Sequence, residues 1–103
     1  GGLIAPGLAT AWRAVRGSTR FALPPEPSRY TRGLGTGTDA CVRQGALYAC
    51  AGLLERAARA SGGRRFLAGG DARTLRPHLD GRWVVKEHLV LEGLLAYARE
   101  HAG

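Results

Sequence analysis

Two adjacent glycines, Gly69 and Gly70, are the residues of this sequence best placed to do chemistry, because they lie between a predicted short strand and a predicted helix. Such a turn exposes backbone N–H groups at the positive end of the helix dipole, which suits an anion or the edge of a nucleotide. Glycine at a strand-to-helix turn also serves backbone geometry alone, so both roles stay open. Asp71 follows the turn and is predicted to cap the helix rather than to act as a base.

Cysteine and histidine offer no second centre. Cys41 and Cys50 lie on one predicted helix, face opposite sides and are separated by roughly 13 Å along its axis. A disulfide needs Cα atoms within about 7 Å, so the two cannot bridge while that helix exists. There is no CxxC, and His78, His88 and His101 lack metal-ligand spacing, so no metal site is predicted. This cysteine usage favours a reducing, cytoplasmic location.

Composition limits the chain to one small domain or a piece of one, since it has 103 residues, 45% of them hydrophobic. The longest uncharged apolar run, residues 45–54, is about half of what a membrane helix needs, so no membrane contact is predicted. The first residues, GGLIAPGLAT, do not resemble a secretory signal. They also lack an initiator Met, and we expect a segment upstream.

The net charge of +7 is a reason to consider nucleic acid as a partner, because basic clusters neutralise phosphates. However, the cations are spread along the chain, and no aromatic residue interleaves with the one modest cluster as a stacking platform requires. That cluster comprises Arg56, Arg59, Arg64 and Arg65. The pattern favours an Arg-rich solvent-exposed surface, and nucleic-acid binding remains the minor alternative.

The first part of the chain is predicted to hold a helix and a long loop. Leu3 and Ile4 could end a strand, and a helix then begins at Pro6-Gly7 and stops at Gly17. Residues 18–37 contain several Pro and Gly with no sustained apolar period, which predicts a loop. A loop of about twenty residues is uncommon in a compact domain and tends to be functional or to cross an interface.

A second, longer helix is predicted from Thr38 to about Ser61. Thr38 fits the N-cap, because its hydroxyl can accept from the free N–H groups of the first turn, and Asp39 complements the positive helix end. The apolar side consists of small residues that would let another backbone come close, either in the same subunit or in a second copy of the chain. Its members are Val42, Gly45, Ala46, Ala49, Cys50, Gly52, Leu53 and Ala57.

The rest of the chain is predicted as strand 65–68, helix 71–79, strand 82–85 and helix 89–100, the last with Leu91, Leu94, Leu95 and Ala98 facing inward. This order implies an α/β arrangement with a parallel strand pair. Two short strands make a poor sheet, so neighbouring strands are predicted to lie outside these residues. Residues 1–103 are therefore predicted to form a single, partial domain.

Four segments, in this order, resemble the C-terminal half of type III pantothenate kinases, a family that includes the Bvg accessory factor. They are residues 1–7 (GGLIAPG), 38–45 (TDACVRQG), 68–72 (AGGDA) and 89–94 (LVLEGL). The resemblance implies a ribonuclease-H-like half of the acetate and sugar kinase, Hsp70 and actin superfamily, without its first strands. It also implies ATP-dependent phosphorylation of the 4′-hydroxyl of pantothenate, the first step of coenzyme A synthesis, with Mg²⁺ and a monovalent cation, K⁺ or NH₄⁺, in a homodimer.

The same resemblance assigns site residues. It implies that Thr38 contacts pantothenate near the dimer interface and that Gly69 and Gly70 form the adenosine-side turn. The family's catalytic Asp, its phosphate-binding Asp-x-Gly-Asn-Thr loop and its cation-binding Asp lie upstream of the glycines with which this chain begins, so these residues alone are expected to be inactive. Gln44 stands where the family has Ser. The alternative is a non-catalytic accessory or regulatory relative that acts through protein contacts.

Overall fold

The computed structural model describes residues 2–18 and 30–102, so Gly1, residues 19–29 of the predicted loop and Gly103 lie outside the described residues. The elements are α1 (Leu8–Ser18), α2 (Thr38–Ser61), β1 (Arg65–Leu67), α3 (Ala72–Leu75), a 3₁₀ turn (Arg76–His78), β2 (Trp83–Val85) and α4 (Leu89–His101). This mixture of helices with a small sheet agrees with the predicted α/β class.

The two strands form a parallel pair, as predicted, with Arg65 opposite Trp83 and Leu67 opposite Val85. The ladder is extended by the N–H of Lys86, which donates to the carbonyl oxygen of Leu67 at 2.8 Å. Each strand has three residues, so both are shorter by one residue than predicted. Among the described residues the sheet has these two strands and no third.

The core lies where α2 meets α1, α3 and the strand pair. It comprises Leu8, Leu47, Cys50, Ala51, Ala58, Leu67, Ala72, Leu75, Leu79 and Trp83. The buried side of α2 is rotated from the predicted one, because Gln44, Leu47 and Ala51 are buried. Gly45, Ala49, Gly52 and Leu53 are exposed instead. The physical reason is that the small residues carry little apolar area, so the burial of Leu47 outweighs theirs.

The start of α2 differs from the prediction. Gly37, in extended conformation at φ −159° and ψ 166°, precedes the helix, and no side chain caps it. Thr38 is the first helical residue, so its prediction as N-cap is wrong. The first helical bond runs from the N–H of Cys41 to the carbonyl oxygen of Gly37 at 2.8 Å. Asp39 does lie in the first turn, and its Oδ2 pairs with Nε of Arg43 at 3.1 Å.

Backbone packing explains this start. A Cβ on Gly35 would lie 2.4 Å from the carbonyl carbon of Ala40 and from the nitrogen of Cys41. The thiol of Cys41 also donates to the carbonyl oxygen of Gly35 at 3.4 Å. The segment before α2 therefore lies directly against the first helical turn, a position that only glycine allows.

Three further element boundaries also depart from the predictions. Residues 2–7 contain no strand, and Leu3 and Ile4 are exposed. Gly17 does not stop α1, which continues to Ser18. The predicted helix 71–79 is divided into α3 and the 3₁₀ turn, because Pro77 has no N–H to donate to an α-helical ladder.

The final helix, α4, has the predicted position but not the predicted packing. Every residue of α4 is exposed, including Leu91 at 54%, Leu94 at 60%, Leu95 at 50% and also Ala98, so the predicted inward orientation of these four is wrong. Nζ of Lys86 pairs with Oε2 of Glu92 at 3.5 Å near the start of α4. The described residues supply no surface opposite the leucines, and the molecule extends over 59 × 25 × 22 Å.

Candidate functional site

The Gly69–Gly70 turn lies where β1 ends, and its backbone is open to solvent. Gly69 has φ +97°, a conformation that favours glycine. A Cβ on Gly69 or Gly70 would meet nothing within 4 Å. The turn is closed by the N–H of Ala72, which donates to the carbonyl oxygen of Gly69 at 3.3 Å. A flat ligand edge could therefore approach this backbone without displacing a side chain.

The helix that follows this turn is shorter than predicted. α3 has four residues, so it contributes little of the aligned dipole that the sequence predicted for residues 71–79. What the structure provides at the turn is exposed glycine backbone. Ligand contact at Gly69 and Gly70 remains a prediction.

Asp71 has an unexpected role. It precedes α3, and its backbone carbonyl oxygen accepts from the N–H of Leu75 at 2.9 Å. Its side chain, however, makes no capping hydrogen bond to α3, so the prediction that its carboxylate caps its own helix is wrong. Its Oδ2 instead accepts from the N–H of Leu8, the first residue of α1, at 3.1 Å. The carboxylate thus caps a helix 63 residues earlier in the chain. Sequence reasoning had no local signal for this pairing.

Cys50 lies against the same helix start. Its thiol donates to the carbonyl oxygen of Pro6 at 3.6 Å. Burial raises the pKa of the Cys50 thiol above its usual value of 9.0, and the negative charge of Asp71 raises it further. The thiol therefore stays protonated at neutral pH and acts as a structural donor rather than as a nucleophile.

Gln44 holds the segment in front of α2, a role that the sequence analysis did not predict for it. Its side chain is 4% exposed. Its Nε2 donates to the carbonyl oxygens of Thr31 and Gly33, and its Oε1 accepts from the N–H of Thr31. The signal that could have found it is a polar residue three positions before Leu47, in the row that α2 buries.

Thr38 is exposed and lies on a different surface. It lines a shallow depression of about 410 Å³ between α1 and α2. The other lining residues are Val15, Cys41, Val42, Gly45 and Ala46. Neither Gly69 nor Gly70 lines this depression, so the structure does not bring the two predicted binding features into one cavity.

Within residues 2–18 and 30–102, no group of three or more His, Cys, Asp or Glu could hold a metal ion. In the same part of the chain, no helix has both the length and the apolar character needed to cross a membrane.

Two curated proteins match this chain. A type III pantothenate kinase of Herminiimonas arsenicoxydans is 36% identical over 104 residues, which cover 91% of this chain and 40% of that protein. A type III pantothenate kinase of Nitrosospira multiformis is 36% identical over 106 residues, which cover 97% of this chain and 40% of the Nitrosospira protein. The chain is a relative of type III pantothenate kinases. The resemblance found in the four sequence segments is thereby confirmed.

The chain spans about 40% of the length of the type III pantothenate kinases it matches, which is consistent with a C-terminal half. Its helices and small parallel sheet are compatible with an α/β kinase domain. No protein-family profile and no solved structure matches the chain.

Proposed function

We propose that this chain is the C-terminal part of an enzyme that transfers the γ-phosphoryl group of ATP to the 4′-hydroxyl of pantothenate. The observation that carries the proposal is the match to two type III pantothenate kinases over more than nine-tenths of the chain. A preceding segment would then hold the other half of the enzyme, a ribonuclease-H-like partner to this one.

Two features of the fold support a partial domain. The sheet of the described residues has two strands of three residues each, whereas independent sheets usually need at least three strands. The apolar side chains of α4 are exposed, and burying each would contribute about 1.5–3 kcal/mol. A preceding segment could add strands to this sheet and cover the apolar side chains of α4.

The proposed division of labour follows from the chemistry. Phosphoryl transfer depends on positioning, on metal-bridged neutralisation of charge and on a base near the nucleophile. Here the open backbone of Gly69 and Gly70 would receive the adenosine side of ATP, and Thr38 would contact pantothenate. Among the described residues, no group of three or more His, Cys, Asp or Glu could hold a metal ion. In this proposal, the ligands of those ions and the catalytic Asp belong to the preceding segment.

A homodimer in the cytoplasm is part of the proposal. Gly45, Ala49 and Gly52 lie exposed on α2, and because glycine has no side chain and alanine only a methyl group, the backbone of a second copy could come close. Gly45 lines the same depression as Thr38, so a partner seated there would stand next to the proposed pantothenate contact.

The direct test is an ATP-dependent phosphopantothenate assay on the full-length gene product and on these 103 residues alone. We expect activity in the former and none in the latter, because the acidic machinery is assigned to the preceding segment. Activity of the isolated 103 residues would refute that division. An inactive full-length protein that binds a protein partner would instead favour the accessory relative, and binding to random duplex DNA that weakens steeply with salt would favour a nucleic-acid binder.

A further inference from the structure

The contact between Asp71 and Leu8 joins two distant segments at the edge of the Gly69–Gly70 turn. The N–H of Leu8 is one of the donors that α1 leaves without a partner in its first turn. No acidic residue lies in the first turn of α1 itself, so the negative charge at this helix start comes from Asp71. A hydrogen bond to a carboxylate is roughly twice as strong as a neutral one.

The carboxylate of Asp71 also lies close to Gly7. A Cβ on Gly7 would lie 2.9 Å from Oδ2 of Asp71. The φ of Gly7 lies outside the left-handed region, so the backbone admits a larger residue, which would instead displace the end of the Asp71 side chain. A substitution at Gly7 is therefore a way to move this carboxylate without removing it.

Both sides of the contact are anchored in the core. Leu8 is 2% exposed and Ala72, directly after Asp71, is 3% exposed. The Gly69–Gly70 turn, by contrast, has no side chain that could hold it. A flexible turn loses conformational entropy when it binds a ligand, and prior ordering reduces that cost. Asp71 is the first residue after the turn that can supply this order.

We propose that Asp71 is a positioning residue. By binding to the start of α1, it holds the end of the Gly69–Gly70 turn in place and so orders the turn before the nucleotide binds. The proposal deepens the proposed function and rests on it in one respect, namely that the ligand at this turn is ATP. In this proposal Asp71 itself contacts neither ATP nor pantothenate. It acts through the turn, and its loss should therefore affect nucleotide affinity more than the chemical step.

The test uses Asp71→Ala and Asp71→Asn in the full-length protein, with Arg73→Ala as the matched control. We expect Asp71→Ala to raise the KM and the Kd for ATP about five- to tenfold, with kcat and the KM for pantothenate within about twofold. Asp71→Asn keeps an oxygen that can accept from Leu8, so it should restore most of the affinity. Arg73 lies in α3, two residues after Asp71, and forms a surface ion pair with Glu87. Its replacement should leave kcat and the KM values for ATP and pantothenate unchanged.

A double-mutant cycle separates positioning from simple stabilisation. Gly7→Ala should displace the carboxylate and weaken ATP binding like Asp71→Ala, whereas the two changes together should cost less than their sum, because the clash disappears with the carboxylate. A variant pair that lowers the melting temperature while the Kd for ATP stays unchanged would show a purely structural cap and overturn the proposal. Additive effects on the Kd would overturn it as well.

The two proposals fail in different ways. If the wild-type protein binds ATP without phosphorylating pantothenate, the proposed function is wrong, and the Kd for ATP, measured by titration calorimetry on the same variants, still decides the role of Asp71. If the wild-type protein does not bind ATP at all, the inference about Asp71 is wrong.

Discussion

At the scale of single residues, Thr38 was correctly predicted to mark the start of α2 but wrongly predicted to cap it. Its side chain makes no capping bond, and the residue lies exposed at the edge of the depression between α1 and α2. A hydroxyl that is not needed to start the helix is available for a ligand, which makes the proposed role testable without loss of the fold.

We expect Thr38→Ala to raise the KM for pantothenate with little change in kcat, because a ground-state contact is removed. The free energy of unfolding should change by no more than about 0.5 kcal/mol, as is usual for an exposed residue without a capping role. Steady-state kinetics and urea unfolding of the full-length protein measure the two effects. Thr74→Ala, which removes an exposed hydroxyl elsewhere, serves as control, and an unchanged KM in Thr38→Ala would contradict the assignment.

Cys50 provides a second prediction, on pH. Because the pKa of its thiol is higher in the folded protein than its usual 9.0, the folded state holds the proton more tightly than the unfolded chain. The associated stability is present below pH 9.0 and is lost as the pH rises through the folded pKa. The free energy of unfolding should therefore fall more steeply above pH 9.0 in the wild type than in Cys50→Ala. Equal slopes in urea titrations across this range would show that the thiol does not contribute.

At the scale of elements, the sequence predicts positions better than faces. The pairs Gly62-Gly63 and Gly69-Gly70 bracket β1, and Gly62 ends α2 with φ +67°, so these boundaries are encoded locally. The parallel pairing and the extent of α2 were predicted from the same glycine pairs. The part of the candidate site that consists of exposed glycine backbone could likewise be found from the sequence.

What the sequence could not predict depends on distant contacts. Small residues such as Gly45 and Ala49 are compatible with a buried or an exposed helix face, so their identity does not predict which face of α2 is buried. That orientation is decided by the residues that pack around Leu47. The partner of Asp71 lies 63 residues away, and the partners of Gln44 lie in an irregular segment without periodicity. Such pairings are set by the tertiary arrangement, so local patterns carry no record of them.

The contact between α2 and the preceding segment yields a prediction with an internal control of opposite sign. Gly35→Ala would place a Cβ 2.4 Å from the backbone of Ala40, and the resulting shift should destabilise the protein by about 1–3 kcal/mol. Gly93→Ala, in the interior of α4 with nothing within 4 Å of the new Cβ, should stabilise it by about 0.5–1 kcal/mol. Urea unfolding of both variants measures the difference, and equal midpoints would contradict the packing described here.

At the scale of the whole molecule, the described residues are more extended than a closed domain. Their radius of gyration is 16.5 Å, against about 13 Å for a compact chain of this length. In α4, none of the residues is buried. A surface of this kind is expected where a larger protein continues.

We expect the amides of α4 in the full-length protein to exchange with deuterium about as slowly as those of α2, because the preceding segment would cover Leu91, Leu94 and Leu95. Hydrogen exchange followed by mass spectrometry measures this, and α2 in the same sample is the internal reference. Exchange of α4 within seconds, with α2 protected, would show that no such cover exists and would contradict the partial-domain proposal.

The exposed final helix also bears on how the cell would treat an unassembled copy. A helix of 13 residues is near the length at which isolated helices are only marginally stable in water, so α4 depends on its cover for persistence. A copy without that cover would present a fraying apolar helix, the kind of segment that quality-control proteases engage first. Turnover would then remove orphan copies and leave the assembled ones, so that the helix acts as a checkpoint for assembly.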